Sequence, residues 1–397
     1  MKKLGFERVG IILFCATLIG SGALTVVFNW KTIAKGAYTS VVSGYKNDGV
    51  SGLIDGAISG LESGVNDAVI GRTGYINLYG LTARVLNKHY IIETSGGNSV
   101  VKDNTGQLEF ITNPVDTQPY VDKIADLKKI YDEIGAKTLY VQTPVKPIEG
   151  YIEMPEGITD YSNINSDNLL SQLQAAGIKT LDLRENIKTS GIDYSELFYN
   201  TDHHWKTETA FWAAGEVKNY LNEEFGLNLD PNNFYTNSDN YQSIFYEKNF
   251  LGSQGRRVGK YYGGVDDYTL MLPKYDTDYS VTINKSNNSS HIDGTFEEAI
   301  VKYDLVNAKD IFTNRYAAYF GADYPEVIVK NNKADNDLKV LIFKDSFGIP
   351  FSAFFSTMVS ETRLMDTRYY TGDLESYIRE YNPDVVIYLF KSINTQA

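Results

Sequence analysis

The sequence predicts an α/β protein with a mainly parallel sheet covered by helices on both faces, preceded by an apolar helix at the amino terminus. Short apolar runs of strand length recur along the chain, and helical stripes that stop before glycine separate them. Such an alternation is typical of βαβ units, which produce a parallel sheet buried between helices. The 397 residues, 43% of them apolar, suffice for one large domain or two ordinary ones with a buried core.

The predicted elements fall in two parts of the chain. The predicted buried strands are 138–141, 180–183, 340–343 and 384–389. Three predicted helices, over 120–134, 166–176 and 207–225, are each followed by a glycine that can end a helix. Between about 230 and 335 the alternation breaks in a stretch rich in Tyr, Asn, Asp and Gly, which predicts an irregular or β-rich insert over one edge of the sheet.

The amino terminus predicts a membrane anchor. Residues 9–28 carry no charge, and about 20 helical residues span a bilayer core of ~30 Å. Basic residues flank this run on both sides, at Lys2, Lys3, Arg8, Lys31 and Lys35. We predict a signal-anchor over 1–31 with its amino terminus inside, so that the rest of the chain is extracytoplasmic. A cleaved signal peptide is the alternative.

Residues 32–74 predict a helical stalk. Apolar residues recur there at spacings of three and four, as on one face of a helix. Glycines at 49, 52, 56, 60 and 64 weaken such a helix in isolation, so we expect it to pack on the main domain or on a partner. A loose linker is the alternative. The main domain is then predicted to occupy residues 75–397.

Composition excludes several classes of protein. The formal net charge of −13 is opposite to that of a general nucleic-acid or anionic-lipid binder. The single cysteine, Cys15, permits neither an intrachain disulfide nor a thiolate metal cluster. Among four histidines, His203 and His204 are adjacent, which directs attention to that segment.

Two short segments carry the predicted chemistry. Ser346 follows the strand 340–343, where α/β enzymes place nucleophiles at the carboxyl edge of the sheet. Asp202 and His204 are two residues apart, so in an extended segment they point to the same side while His203 points away. We therefore predict that Ser346 attacks, His204 takes its proton and Asp202 orients the imidazole, with no metal or cofactor. The simpler alternatives are a helix-capping serine and a polar histidine loop.

The tetrapeptide Asp-His-His-Trp at 202–205 resembles the signature of the DHHW family of bacterial cell-surface proteins. That family is similar to the alginate O-acetyltransferases of the SGNH hydrolase superfamily. Further segments that match the family are 77–82, 140–146 and 250–257, and a Lys-Asp-Ser-Phe turn lies at 344–347. The resemblance implies an SGNH-like three-layer α/β/α domain, with the family's catalytic pattern on Asp202, His204 and Ser346.

The resemblance also implies a function. It implies an O-acyltransferase, with acetyl the expected group, that modifies a cell-surface or secreted polysaccharide through an acyl-serine, or an acetyl esterase using the same site. A multi-spanning membrane-bound O-acyltransferase would supply the acyl donor, because acyl-coenzyme A is not available outside the membrane. The expected location is the bacterial cell surface, and the family mechanism uses no cofactor.

Departures from the superfamily pattern leave parts of the site open. Asp202 and His204 of the predicted triad are two residues apart, whereas ordinary SGNH enzymes place the catalytic Asp and His three apart. Gly252 and Ser253 are the candidates for binding the oxyanion, and a tight turn is the alternative for them. Lys344 replaces a usual glycine, and a cation there could hold an anionic substrate group or be solvated. Trp205 is a further substrate candidate.

Other classes of protein remain as alternatives. Metal-dependent DHH phosphoesterases need additional aspartate motifs near the amino terminus, and none precedes residue 202. The Gly-x-Ser-x-Gly elbow of α/β-hydrolases is absent from the sequence. The strongest alternative is not an enzyme but a degenerate SGNH-like domain that binds glycan or scaffolds a polysaccharide export and modification complex.

Overall fold

The computed structural model describes residues 6–91 and 99–391 and divides into two compact units between Ala83 and Arg84. Lys2 and Lys3, expected to flank the membrane anchor, lie outside the described residues, as do the last six residues of the predicted main domain. The two units are described separately below.

The amino-terminal unit is helical. It contains α1 (Phe6–Asp48), α2 (Ser51–Ala68) and most of α3 (Arg72–Val85). Within α1, the segment Arg8–Tyr45 is long and apolar enough to cross a membrane, and little of it is buried. By length and composition this helix is a candidate membrane anchor or signal sequence.

Glycines bring α1 and α2 into close contact along the predicted stalk. A Cβ atom at Gly56 would lie 2.5 Å from the carbonyl oxygen of Ser40, and one at Gly60 would lie 2.8 Å from Cα of Ala37. Any larger residue would push the two backbones apart, and small residues are what allow helices to approach this closely. The glycines that weaken α2 as an isolated helix therefore serve its packing on α1.

Among the described residues, the second unit contains three sheets. A small antiparallel sheet is formed by β1 (Tyr90–Ile91), β2 (Val100–Lys102) and β3 (Leu108–Phe110). A separate hairpin pairs β6 (Tyr241–Phe250) with β7 (Asp266–Pro273). The main sheet has eight strands, in the spatial order β5 (Lys179–Asp182), β4 (Lys137–Gln142), β13 (Val385–Phe390), β11 (Lys339–Lys344), β12 (Glu361–Met365), β10 (Glu326–Asn331), β8 (Tyr279–Asn284) and β9 (Ser289–Gly294).

The main sheet is mixed, with a parallel part and an antiparallel part. Its first five strands, from β5 to β12, are parallel, and β10, β8 and β9 continue it in antiparallel pairing. Strands β5, β4, β11 and β13 coincide with the four predicted strands to within two residues at each end. The prediction of a mainly parallel α/β sheet is therefore confirmed, and the carboxyl ends of these strands meet at one edge.

Helices cover both faces of the main sheet. Alternate strand residues face opposite ways: Leu139 and Val141 join one buried cluster, whereas Tyr140 joins the other. Helices α4 (Gln118–Ile134), α5 (Ser162–Ala175) and α14 (Leu374–Tyr381) pack on one face, and α6 (Leu183–Thr189), α8 (Thr207–Phe225) and α13 (Gly348–Phe355) pack on the other. The remaining short helices are α7 (Tyr194–Leu197), α9 (Gly255–Val258), α10 (Lys260–Gly263), α11 (Phe296–Ile300) and α12 (Tyr303–Val306).

The predicted helix ends are confirmed at two glycines that require a left-handed backbone. Helix α4 ends at Gly135, where φ is 77°, and α8 ends at Gly226, where φ is 68°. Glycine adopts this conformation without the steric cost of a Cβ atom.

The segment 230–335, expected as an insert, supplies part of the sheet itself. It contains the β6–β7 hairpin and strands β8, β9 and β10, which form the antiparallel edge of the main sheet. Its tyrosines include Tyr241, Tyr279 and Tyr319, all buried in the core on the α8 and α13 face. The segment is β-rich as predicted, but it extends the sheet in addition to covering it.

Candidate active site

Ser346 lies in the turn between β11 and α13, at the carboxyl edge of the parallel strands. The neighbouring Asp345 ties this turn to the end of β13, because its two carboxylate oxygens accept hydrogen bonds from the amides of Phe347 and Lys391, both at 2.9 Å. A Cβ atom at Gly348 would lie 2.6 Å from Cβ of Lys344, so the helix begins this close to the strand only because it begins with glycine. The turn leaves Ser346 partly exposed.

The loop between α7 and α8 brings the other two predicted residues to the same edge. Nε2 of His204 lies 2.7 Å from Oγ of Ser346, and Nδ1 of His204 is hydrogen-bonded to Oδ1 of Asp202. When Nδ1–H donates to the carboxylate, Nε2 is left to accept the serine hydroxyl hydrogen. Asp202 and His204 are both buried. The structure thus joins Asp202, His204 and Ser346 in one hydrogen-bonded chain.

A bend, not an extended segment, places Asp202 beside His204. The carboxylate oxygen Oδ1 of Asp202 also accepts a hydrogen bond from the backbone amide of His204 at 3.1 Å, which is an Asx turn. The prediction that His203 points away was wrong, since the ring centroids of His203 and His204 lie 3.8 Å apart. The Asx turn curls the backbone and brings both imidazoles to one side.

A partly buried carboxylate anchors this loop. Asp266 accepts hydrogen bonds from the amides of Asn200 and Thr201 at 2.7 and 2.8 Å, and from the Thr201 hydroxyl at 2.5 Å. Burial raises the pKa of Asp266, and the three donated hydrogen bonds oppose that rise. The residue directly before Asp202 is therefore fixed to β7.

The surroundings of Asp202 favour its ionised form. Burial alone would raise the pKa of Asp202, but the imidazoles of His204 and His203 and the hydrogen bonds from His204 and Ser253 hold it well below its usual range. A carboxylate that stays ionised can stabilise an imidazolium formed at His204.

His203 is held as a neutral neighbour of the triad. Its Nδ1 is hydrogen-bonded to Oγ of Ser253 at 2.7 Å, and its ring lies 5.8 Å from that of Phe110. Burial lowers the pKa of His203 well below its ordinary value, and the adjacent His204 lowers it further. The ring of His203 therefore lines the site, and its lowered pKa favours the neutral imidazole.

Two aromatic residues, Tyr316 and Trp205, hold the imidazole ring of His204 in place. The ring of Tyr316 stacks on His204 at 3.7 Å with an angle of 10° between the planes. The indole Nε1–H of Trp205 donates to the Tyr316 hydroxyl at 3.0 Å, and that hydroxyl donates to the carbonyl of Phe347 at 3.3 Å. Trp205 is fully buried, so it supports the stack and is not placed to contact a substrate. Tyr316 had no signal in the sequence beyond the abundance of tyrosine.

The amides of Gly252 and Ser253 serve the loop, not an oxyanion. Gly252 N–H donates to the Thr201 hydroxyl at 2.9 Å, and Ser253 N–H donates to Oδ2 of Asp202 at 2.6 Å. Both amides that were expected to bind an oxyanion are thus engaged in holding the catalytic loop, at Thr201 and at Asp202 respectively. The alternative of a tight turn describes these two residues better.

Lys344 is neither solvated nor exposed to a substrate. It is buried, and its ammonium lies 2.5 Å from Oδ1 of Asp323 and 3.8 Å from Oδ2 of Asp366. Arg368 joins the same cluster through both carboxylates. The expected role of Lys344 as an anion-binding group is therefore not supported by its position, because its charge is already paired beneath the turn that carries Ser346.

Asp202, His203 and His204 also form a possible metal site. Ligand atoms of Asp202, His203 and His204 lie within 4.8 Å of one another, a spacing that could hold an ion. However, the two ring nitrogens of His204 are hydrogen-bonded to Asp202 and Ser346, so coordination would require breaking one of these bonds. The observed arrangement fits a proton relay better than a metal centre.

The contact between Gly252 and Asp202 predicts a large effect of one methyl group. In Gly252→Ala, the new Cβ would lie 2.5 Å from Oδ2 and 2.6 Å from Cα of Asp202, so the carboxylate must move. We expect kcat for an activated acetyl ester to fall about 100-fold, since small misplacements of catalytic groups have effects of this size.

A matched glycine supplies the control. Gly215 lies inside α8, where a Cβ atom would meet only the Thr236 side chain at 3.7 Å. Gly215→Ala should keep full activity and gain up to about 1 kcal/mol of stability from its higher helix propensity. Full activity in Gly252→Ala would contradict the packing described for Asp202.

Comparisons with known proteins agree with the fold described above. Residues 109–243 match the model of the family described as SGNH hydrolase-like domain, acetyltransferase AlgX. The fold is similar to that of Bacillus cereus PatB1 with a sulfonyl adduct (TM-score 0.60, 21% identity, covering 75% of this chain and 96% of that one). It is also similar to a DHHW family protein from Eubacterium siraeum (TM-score 0.56, 18% identity, covering 75% of this chain and 91% of that one). A search of curated protein sequences found no match.

The second unit therefore has an SGNH hydrolase-like α/β fold, as the resemblance of residues 202–205 implied. At identities of this size the solved structures establish the fold, while the family match indicates a relationship to domains involved in acetylation.

Proposed function

We propose that this chain is a serine-dependent O-acyltransferase, with acetyl as the transferred group, that can also act as an acetyl esterase at the same site. The observation that carries the proposal is the 2.7 Å contact between His204 Nε2 and Ser346 Oγ, with Asp202 on the opposite ring nitrogen. A helix-capping serine would have no need of a buried histidine and carboxylate behind it. This arrangement meets the geometric requirement for an activated nucleophile.

The proposed reaction has two steps. Ser346 Oγ attacks the carbonyl carbon of an acyl ester while His204 takes the hydroxyl proton, and the leaving oxygen receives that proton as its bond to the acyl group breaks. An acceptor hydroxyl then attacks the acyl-serine with His204 again as base, and the regenerated Ser346 recovers its proton. Water in place of the acceptor gives hydrolysis.

The oxyanion of each step requires donors near Ser346. In the described part of the chain no protein group accepts a hydrogen bond from the Ser346 amide, while the Phe347 amide is taken by Asp345. The Ser346 N–H is therefore our candidate for one oxyanion donor, in the position where related chemistry uses the turn backbone.

We further propose a polysaccharide as the acceptor and an extracytoplasmic location. The resemblance to alginate O-acetyltransferases, the family match over residues 109–243 and the apolar segment Arg8–Tyr45 support this proposal. A membrane-bound acyltransferase partner is the proposed source of the acyl group. The catalytic domain is proposed to begin near residue 75, after an anchor and a helical stalk.

Transfer and hydrolysis can be separated by adding acceptors. Full-length protein in detergent micelles would be given 4-nitrophenyl acetate with cello-, chito- or uronic acid oligosaccharides, and products would be analysed by mass spectrometry. We expect O-acetylated oligosaccharide to appear with at least one acceptor class. Acetate release with no acetylated sugar would identify an esterase, and no release at all would favour the glycan-binding scaffold.

A further inference from the structure

A buried lysine reaches the back of the catalytic loop from a different part of the fold. Lys146 follows β4 in the segment 140–146 and is only 1% exposed. Its main chain is restrained by Pro144 and Pro147, which have fixed φ, and its carbonyl accepts a hydrogen bond from the Tyr194 hydroxyl at 2.7 Å. The main chain that carries the Lys146 side chain is therefore conformationally restrained.

The ammonium of Lys146 is surrounded by carbonyl oxygens of the loop. Its Nζ lies 2.9 Å from the carbonyl of Tyr199, 3.3 Å from that of Asn200 and 3.1 Å from that of Asp202. Two further oxygens complete the shell, the carbonyl of Leu108 at 2.5 Å and Oε1 of Gln254 at 3.3 Å. Three of the five acceptors thus belong to the four residues that end at Asp202.

The loop needs such a donor because it forms no regular structure there. Residues 199–204 are mostly buried, and buried carbonyl groups without hydrogen-bond partners are costly. An ammonium group with three donors and a full charge can satisfy several converging carbonyl dipoles at once. A neutral apolar side chain of the same length would remove the donor to the carbonyls of Tyr199 and Asp202, whereas the carbonyl of Asn200 also accepts a hydrogen bond from the Leu108 amide at 3.1 Å.

The carboxyl group of Glu109 lies near Lys146 but is not a hydrogen-bond partner of its ammonium group. Oε1 of Glu109 lies 3.9 Å from the ammonium, beyond hydrogen-bond distance. Burial raises the pKa of Glu109, although Lys146 acts to lower it, so burial disfavours the charged form of this carboxyl. The loop carbonyls are consequently the partners that hold Lys146, and Lys146 holds the loop together with Asp266, which binds the amides of Asn200 and Thr201.

We propose that Lys146 is a positioning residue for the acyl transfer, which fixes the backbone on both sides of the Thr201–Asp202 bond and so sets the carboxylate against His204. This inference rests on the proposed function. It assigns Lys146 no contact with substrate or with the reacting atoms, because its neighbours are carbonyls behind the loop.

The first test compares two buried lysines in the full-length protein. Lys146→Met keeps the side-chain stem and removes the donors, and we expect kcat for 4-nitrophenyl acetate to fall about 10- to 100-fold with KM changed less than about twofold. Lys218→Met makes the same change in α8, where Lys218 is 3% exposed and donates to Asn233 at 2.5 Å. Rates per folded molecule should stay near the wild-type value in that control, although both variants lose stability.

The second test asks whether Lys146 acts through Asp202. If it does, Lys146→Met should lower the rate by no more than about threefold when Asp202 is already Asn, because the effects of coupled residues are not additive. Should Lys146→Met fail to fold, Lys146→Gln replaces it in the cycle, since its amide keeps two donors without the charge.

Each outcome decides a different point. Equal factors in the wild-type and Asp202→Asn backgrounds, or a wild-type kcat in Lys146→Met, would overturn the positioning role. A wild-type protein that shows no Ser346-dependent release would instead remove the proposed function, and the role of Lys146 with it. Equal factors in the two backgrounds, or a wild-type kcat in Lys146→Met, would therefore leave the serine mechanism intact and remove only the role of Lys146.

Discussion

Ser346→Ala is expected to lower kcat for an activated acetyl ester by at least about 10⁴-fold, because removal of the nucleophile leaves only the slow background reaction. The structure explains why no neighbour should replace it. The hydroxyl of Ser253, which lies beside the catalytic loop, is hydrogen-bonded to His203, whereas Nε2 of His204 is hydrogen-bonded to Ser346. Initial rates at saturating ester would measure the effect.

Controls for this variant separate chemistry from folding. Ser243 is an exposed serine on β6, and Ser243→Ala should keep wild-type rates. The melting temperature of Ser346→Ala should stay close to that of the wild type, because the side chain is partly exposed and only its hydroxyl is lost. A Ser346→Ala protein that hydrolyses the ester as fast as the wild type would eliminate Ser346 as nucleophile.

Asp202→Asn is expected to lower kcat by about 10³- to 10⁴-fold, the size of effect seen when a triad carboxylate becomes an amide. Both oxygens of Asp202 accept backbone hydrogen bonds, Oδ1 from His204 N–H at 3.1 Å and Oδ2 from Ser253 N–H at 2.6 Å. Asparagine has one oxygen, so its NH₂ group must face one of these donors. We expect the movement that relieves this clash to break the bond to His204 Nδ1 as well.

The loss in Asp202→Asn should be nearly independent of pH between 6 and 8. The histidines and hydrogen bonds around Asp202 hold its pKa below the usual range, so the wild-type carboxylate is ionised throughout that interval. The stability that it contributes is lost only as pH falls through its lowered pKa. Asp293→Asn, at an exposed position on β9, is the charge-matched control. A loss in Asp202→Asn that disappears above pH 7 would contradict this assignment.

The parallel part of the fold, apart from β12, was accessible from the sequence because it is locally encoded. Buried parallel strands are continuous apolar runs, and the helices between them stop at glycine, so each element carries its own signal. The three residues of the candidate triad were predicted from their types and spacing together with the resemblance of residues 202–205 to the DHHW signature. The edge strands β8, β9 and β10 were not predicted individually, because they are short and lie in a stretch rich in Tyr, Asn, Asp and Gly.

The parts of the site that the sequence did not reveal depend on contacts between distant segments. Tyr316 stacks on His204 from more than one hundred residues away, and Lys146 reaches the loop from the end of β4. Gly252, Ser253 and Lys344 were recognised as special, but residue type could not show what they face. The structure places the first two behind Asp202 and pairs the third with Asp323.

The most direct test of the central claim is to trap the acyl-serine. Full-length protein would be treated with 4-nitrophenyl acetate, quenched in acid, digested and mapped by tandem mass spectrometry, and a parallel sample would receive a serine-directed sulfonyl fluoride. We predict that both reagents modify Ser346 in the wild-type protein. In His204→Ala, the fraction of the Ser346-containing peptide that is modified should be lower with both reagents. Ester hydrolysis without an adduct on Ser346, or an adduct on another residue that accounts for the activity, would contradict the serine mechanism.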